Sequence, residues 1–337
     1  MNILLTCVGR RNYLVQFFRE ALGDRGRVYG ADADRYACAL QECDKRIVVP
    51  RVEEYDYCDE ILALCQQHHV RLVVPLLDLE LPVLAHERER FLAVGTIPVI
   101  SSPDVVRSCF DKWATAQLLS RCRLEHPQTY VNLCDALAAI KRGRLTYPVV
   151  VKPRWGSASL GVDYAQDDEE LDMSVRLLRR KLPRTMLGPA SMTDLERSVI
   201  IQERLQGQEY GLDVVNDLEG RYVTTFVRRK LSMRAGETDQ AITVECQQLS
   251  ALGQRIGQAL GHRGNLDCDV FVTDRGCYVL EMNPRFGGGY PFSHAAGANV
   301  PAMLIAWASG TPIDSNWMRV KPNLVASKGD RIVTTNT

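Results

Sequence analysis

Along the first third of the chain, short apolar runs alternate with longer amphipathic stretches. Residues 2–7, 27–31, 46–49, 71–75 and 96–100 read as strands, and 12–22, 57–68 and 79–89 carry apolar positions at helical spacing. Strands and helices alternating at this interval predict a parallel sheet joined by right-handed crossovers. Ser101-Ser-Pro103 closes that unit, so a Rossmann-like domain is expected over 1–107. Residues 108–208 then mix apolar strands at 147–152 and 198–203 with a helix opened by Phe110-Asp-Lys112, where Asp111 suits the cap. A polar stretch near 181–197 contains Pro183, Gly188 and Pro189 and predicts a mobile insertion. From 209 to about 310 the pattern is that of antiparallel strands with helices at 249–260 and 301–309. Residues 209–320 form the last expected unit, and 321–337 read as a weakly structured tail. The fold class is α/β.

The densest chemistry lies in Tyr278-Val-Leu-Glu-Met-Asn-Pro-Arg285. Regular alternation would put Glu281, Asn283 and Arg285 on one face with Val279, and Leu280 and Met282 on the other. A carboxylate beside an amide oxygen suits a hard cation such as Mg²⁺. A guanidinium just beyond suits a phosphate or acyl-phosphate oxygen. Upstream, strand 265–272 and the turn Asp274-Arg-Gly276 predict a hairpin with 278–283. That hairpin sets Asp269 opposite Glu281, with Asp267 on the same face. Strand 147–152 delivers Lys152 to the loop Pro153-Arg-Trp-Gly-Ser-Ala-Ser-Leu-Gly161. Its small residues, including Gly156, Ser157 and Ser159, can bring N–H groups over phosphates. Strands at 198–203 and 208–215 carry Glu203 and Glu209.

The ordered series Asp111-Lys112, Lys152, Glu203, Glu209, Asp269, Glu281, Asn283, Arg285 resembles the ATP-grasp superfamily. The branch is that of the carbamoyl-phosphate synthase large subunit and the carboxylate–amine ligases. The similarity extends over about residues 1–310. Lys152 to Gly161 looks like the lysine-plus-loop of D-alanine–D-alanine ligases, and Glu281-Met-Asn-Pro-Arg285 like the metal strand of the synthases and carboxylases. The resemblance implies an ATP-grasp fold behind a pre-ATP-grasp Rossmann-like domain, with 108–208 as its small central subdomain and 209–320 as its C-terminal one. It implies ATP and Mg²⁺ as cofactors, with Mn²⁺ an alternative cation. Lys112 and Lys152 would contact the α and β phosphates, helped by Gly156, Ser157 and Ser159. Glu203 would lie near the adenine edge, and Glu209 would accept the ribose hydroxyls. Asp269 (or Asp267), Glu281 and Asn283 would hold the metal. Arg285, with Lys230 or Arg234, would steady the transferring phosphoryl group.

The activity so implied joins a carboxylate, activated as an acyl phosphate, to an amine, releasing ADP and phosphate. A carbamoyl-phosphate-forming enzyme and a silent ATP-binding protein are the alternatives. Full synthases contain two such halves; this chain shows one and no internal repeat. Trp155 departs from the small or acidic residue often found in the phosphate loop, and Gly287–Gly289 departs from the synthase pattern in a way that could admit a larger substrate. Arg10, Arg11, Asp78, Glu80 and His294 are candidates for the acceptor pocket, although Asp78 would serve equally as a helix cap.

Composition narrows the partners. Forty-one basic and forty-one acidic residues balance, and basic spots such as Arg228-Arg229-Lys230 are short, which argues against nucleic acid. No apolar run approaches the ~20 residues needed to span a bilayer. Eleven scattered cysteines without a C-x-x-C pair read as buried small hydrophobes in a reducing cytoplasm. Small-molecule acid and amine substrates are the expected partners, with a homodimer left open. The strand–loop–helix at Thr6-Cys-Val-Gly-Arg-Arg-Asn12 mimics a dinucleotide site, but it has one glycine where that fingerprint needs three, and Arg10 and Arg11 would block the pyrophosphate.

Overall fold

The computed structural model describes residues 1–156 and 160–335. Strands β1 (Asn2–Thr6), β2 (Arg27–Asp32), β3 (Lys45–Val48), β4 (Val70–Pro75) and β5 (Ile97–Pro98) form a parallel sheet in the order β3-β2-β1-β4-β5. Its crossovers are α1 (Asn12–Leu22), α2 (Tyr57–Gln67) and the pair α3 (Leu81–His86) and α4 (Arg88–Ala93). The single helix expected at 79–89 is thus two short ones. Leu14, Val15 and Phe18 of α1 cover one sheet face; Tyr57, Ile61, Leu84 and Phe91 of α2, α3 and α4 cover the other.

Two helices follow, α5 (Pro103–Phe110) and α6 (Lys112–Arg121), separated by Asp111 in an extended conformation. As expected, Asp111 caps α6, accepting from the Trp113 and Ala114 amides at 3.0 and 3.3 Å. The central unit contains β6 (Thr129–Tyr130), α7 (Leu133–Lys141), β7 (Val149–Pro153), β8 (Asp163–Ala165), α8 (Asp168–Lys181), α9 (Gly188–Met192) and β9 (Val199–Glu203). Its antiparallel sheet runs β6-β9-β7-β8 and packs Val149 and Val151 against Ala136, Leu171 and Val175. The stretch 181–197 is not the loose insertion its polarity suggests. It winds into helical turns at Leu182–Arg184, α9 and Leu195–Arg197, with Leu182 and Leu187 buried in the same core. Pro183 and Pro189 sit in the first turns, where a missing N–H costs nothing.

The last unit holds β10 (Gln208–Asn216), β11 (Tyr222–Arg234), β12 (Glu237–Thr243), α10 (Gln247–Leu260), β13 (Gly264–Thr273), β14 (Gly276–Asn283), α11 (Tyr290–Ala295), α12 (Val300–Ser309) and β15 (Val325–Ser327). The antiparallel sheet runs β14-β13-β10-β11-β12-β15. Leu249, Leu252 and Ile256 of α10 cover the face that Leu212, Leu266 and Met282 present. Helix α12, apolar nearly all round, returns to the parallel sheet beside α1 and buries Val300, Met303 and Leu304 against it. The tail departs from expectation, since its β15 pairs with β12. Among the described residues no helix is long and apolar enough to cross a membrane.

Candidate active site

A cleft of about 530 Å³ opens between the two antiparallel sheets. Lys112 and Lys152 reach it from α6 and β7; Glu281, Asn283 and Arg285 from β14 and the turn after it; Glu209, Lys230 and Asp269 from β10, β11 and β13. Gly156 and Glu203 also line it. Of the described nucleotide, metal and phosphoryl candidates the structure gathers all but Arg234 at the cleft, whereas of the acceptor-pocket candidates only Arg11 lines it. The Arg234 side chain is half exposed near the hairpin tip, paired with Asp239 at 2.9 Å and Asp330 at 2.5 Å, and Lys230 occupies the cleft instead. Ser157 and Ser159 lie outside the described residues.

The β13–β14 register pairs Asp269 with Glu281 and Asp267 with Asn283, as the hairpin predicts. The alternation along β14, however, is broken. Val270 pairs with Val279, so Leu280 is an extra residue opposite the Asp269/Val270 step. The bulge turns Val279 into the core with Met282, whereas Leu280 lines the cleft near Glu281. Val279, expected beside the metal-type residues, is on the wrong face for that role. Asn283 Nδ2 donates to Glu281 Oε1 at 3.3 Å, and its Oδ1 is the atom able to ligate. Lys112 Nζ stands 4.0 Å from Glu281 Oε1 and also bonds the Gly156 carbonyl.

Lys230 joins the opposite strands, with Nζ 2.6 Å from Glu209 Oε1 and 2.7 Å from Asp269 Oδ1. Burial pulls this amine down, but Asp269 and Glu209 outweigh burial and hold it above the ordinary lysine range. Burial pushes the Asp269 carboxyl up to about 6, with Asp267 and Glu209 adding to the rise against Lys230. Lys152 has the opposite environment. Burial and then the Lys112 charge lower it, against Glu281, Asp269 and Glu209, to about 8.

Beneath the cleft lies a chain of alternating charges. Arg285 Nη2 meets Asp78 Oδ2 at 2.7 Å and Nη1 meets Asp267 Oδ2 at 3.3 Å; Arg228 Nη2 meets Asp267 Oδ1 at 2.8 Å and Nη1 meets Asp213 at 2.5 Å. Ser293 and Asn265 donate to Asp213 at 2.6 and 3.2 Å. Asp78 is therefore an ion-pair partner from the parallel-sheet unit; Glu80 takes the cap position of α3 without a side-chain capping bond. Glu80 itself is buried, accepting from Tyr57 and from the Leu76 and Leu77 amides, and lies away from the cleft. Arg11 lines the cleft and donates to the Phe286 carbonyl at 2.9 Å. Arg10 is exposed, and His294 stacks on Phe17 at 3.5 Å away from the cleft. The glycine run has a packing reason. A Cβ on Gly287 would overlap the Asp267 carboxyl, and one on Gly289 the Arg228 guanidinium. Sequence reasoning missed Arg228, Asp213 and Leu280. The recurrence of Arg228 and Lys230 on one face of a strand whose Phe226 is buried was the available signal.

Among the described residues no three His, Cys, Asp or Glu side chains converge on a self-sufficient metal site. Glu281, Asn283 and Asp269 nonetheless supply hard oxygen donors from facing strands, and such a set fits a cation that completes its shell with phosphate oxygens. The ammoniums of Lys112 and Lys152 on the facing wall suit those same phosphates.

This fold and site define an ATP-grasp protein. The chain belongs to the ATP-grasp superfamily: a PylC-like N-terminal domain model matches residues 3–100, and a model described as ATP-grasp in the biosynthetic pathway with Ter operon matches residues 196–328. The carbamoyl phosphate synthase large chain of Lachnoclostridium phytofermentans is 20% identical over 227 residues, 65% of this chain and 20% of the synthase. The D-alanine–D-alanine ligase of Mycolicibacterium smegmatis is 30% identical over 187 residues, 51% of this chain and 49% of the ligase. This chain therefore spans about a fifth and about half of those relatives. The biotin carboxylase domain of the Hydrogenobacter thermophilus 2-oxoglutarate carboxylase, solved with MgADP, ADP and bicarbonate, superposes with a TM-score of 0.73. It covers 96% of this chain and 73% of that one at 15% identity, a likeness of fold.

Proposed function

We propose that this chain is an ATP- and magnesium-dependent ligase that activates a small-molecule carboxylate as an acyl phosphate and joins it to an amine. The observation that carries the reading is the cleft's two-sided chemistry: Lys112 and Lys152 on one wall, Glu281, Asn283 and Asp269 on the other, and Arg285 beyond them. Phosphoryl transfer asks little covalent help of a protein. It asks for position and neutralised charge, and this inventory supplies both.

In this reading Lys112 and Lys152 hold the nucleotide phosphates. The apolar side chains of Val150 and Leu280 flank the base end, and Glu203 lies at its rim. Glu281, Asn283 and Asp269 would hold Mg²⁺, which when bound neutralises phosphate charge and orients the γ-phosphoryl group. Lys230 keeps Glu209 and Asp269 fixed between the strands. A carboxylate oxygen of the acid attacks the γ-phosphorus and ADP departs. The amine nitrogen then attacks the acyl carbon, phosphate leaves with the transferred oxygen, and one proton is released. Arg285, aided by Arg11 at the same end, steadies the phosphoryl and acyl-phosphate oxygens.

The test is a phosphate-release screen of acid and amine pairs with Mg-ATP, read for ADP or AMP. Glu281→Gln should lower the rate about a hundredfold, ~3 kcal/mol of barrier. Near-normal turnover of that variant at saturating Mg²⁺ would sink the assignment, and AMP as product would exclude the acyl-phosphate route.

A further inference from the structure

We propose that Asp78, in the turn between β4 and α3, is a positioning residue for Arg285, so that the N-terminal unit sets the guanidinium at the reacting end of the cleft. The proposal rests on the ligase reading above.

Three observations carry it. First, the Asp78–Arg285 pair is 2.7 Å long and nearly sealed from water, with side chains 9% and 6% exposed, and it joins residues of different units. Second, Arg285 is gripped at both terminal nitrogens. Nη2 faces Asp78, while Nη1 faces Asp267 at 3.3 Å and the Phe286 carbonyl at 3.2 Å. Asp267 is itself pinned by Arg228, and Arg228 by Asp213, so the grip is anchored two residues deep. Third, the buried Nε–H of Arg285 has no protein partner among the described residues, yet Arg285 lines the cleft. A planar guanidinium fixed at both Nη atoms is held in one plane, and the donors those contacts leave over, Nε–H and one N–H of Nη2, are fixed in direction with it at the cleft wall.

Without Asp78, the contacts left to Arg285 among the described residues are both on Nη1, to Asp267 and the Phe286 carbonyl, and the guanidinium can swing about that one nitrogen. The Asp78 carboxylate needs no contact with nucleotide or acceptor to act. It works through Arg285. A plain tether between units would instead affect stability and all ligands together. Arg11 already supplies a second tie across the same boundary through the Phe286 carbonyl, so the units stay joined when Asp78 is changed.

The experiment uses the full chain and two probes, MgADP alone and MgADP with aluminium fluoride, which mimics a phosphoryl group in transfer. Asp78→Asn should bind MgADP within about twofold of the unmodified chain and lose at least tenfold in affinity for the fluoride complex. Arg285→Lys should show the same split, and the double variant should lose no more than either single one. If Asp78→Asn does not fold, Asp78→Glu makes the same comparison, because its longer carboxylate displaces the guanidinium while keeping a charged partner. Unchanged fluoride binding, an equal loss of both ligands, or additive losses in the double variant would overturn the proposal. So would an unmodified chain that binds MgADP but never the fluoride complex. An unmodified chain that binds no MgADP would overturn the ligase reading itself, and this inference with it.

Discussion

Both carboxylate oxygens of Asp111 grip the Arg154 guanidinium, at 2.8 and 2.6 Å, while the same side chain caps the helix that begins with Lys112. Arg154 also reaches Asp194 at 3.1 Å and lies over the Trp155 ring at 4.6 Å. The Lys112 amide donates to the Arg154 carbonyl at 3.0 Å. One aspartate thus ties the start of the Lys112 helix to Arg154, just past the end of β7. Asp111→Ala should cost about 1–3 kcal/mol, because it removes a cap and two hydrogen bonds to a partly buried guanidinium that keeps Asp194 as its remaining carboxylate. Asp111→Asn keeps a cap and should recover part of that stability, but both variants should lose at least tenfold in MgATP affinity. Thermal melting and nucleotide titration check this; undiminished affinity would show that the clamp does not position the lysine.

The pH dependence of nucleotide binding should report Lys152. Burial and Lys112 lower its amine to about 8 in the free protein, and the phosphates of a bound nucleotide raise it again. The sign follows from linkage. Binding takes up a proton above pH 8, so affinity is fully present below that pH and is lost as pH rises through it, by up to about tenfold per pH unit. Lys152→Arg should flatten the curve, since a guanidinium does not titrate there. MgADP titrations between pH 7 and pH 9.5 decide the matter, and an equally flat curve in the unmodified chain would refute the assignment.

Local pattern carried much of the fold. The alternating strands and helices at the start and the Asp269–Glu281 register follow from short-range periodicity and one tight turn. What escaped depends on pairing across the chain. The Leu280 bulge leaves no mark in a sequence that alternates well enough to look regular, yet it moves Val279 from the cleft to the core. Asp78 and Arg285 meet across 207 positions, so no window contains both. Arg228 reads as a solvated strand charge until Asp213 and Asp267 arrive from neighbouring β10 and β13 to make burial tolerable. Arg234, equally basic and two alternations beyond Lys230, lies at the β11–β12 hairpin end, half exposed and paired with Asp239 and Asp330.

Of the three glycines 287–289, Gly287 leaves the least room for a side chain. A side chain there would collide with the Asp267 carboxyl, which already holds Arg228 and Arg285. Gly287→Ala should therefore destabilise the fold by about 1–3 kcal/mol through overpacking and a disturbed ion pair. A Cβ on Gly288 would come within 3.1 Å of the more yielding Glu237 carboxylate, so Gly288→Ala should be milder. Denaturant melts of the two variants give the comparison. Equal stabilities would mean that the Asp267 side chain moves aside at no cost.

Arg285 is expected to act on the acyl phosphate more than on ATP. It lies beyond the Glu281 and Asn283 pair, at the end of the cleft that Arg11 shares, where the phosphoryl group would meet its acceptor. Its guanidinium spans Asp78 and Asp267 at once; a lysine ammonium cannot reproduce that plane. Arg285→Lys should therefore lower the melting temperature, since two buried carboxylates lose part of their pairing, worth about 1–3 kcal/mol. Well below that melting point it should keep nucleotide affinity within a few-fold and cut product formation severely. The competing view makes Arg285 only a clamp between units, and it predicts that ATP binding and rate fall together. Nucleotide affinity, melting temperature and ligation rate measured on this one variant separate the views, and a drop in affinity equal to the drop in rate would decide for the clamp.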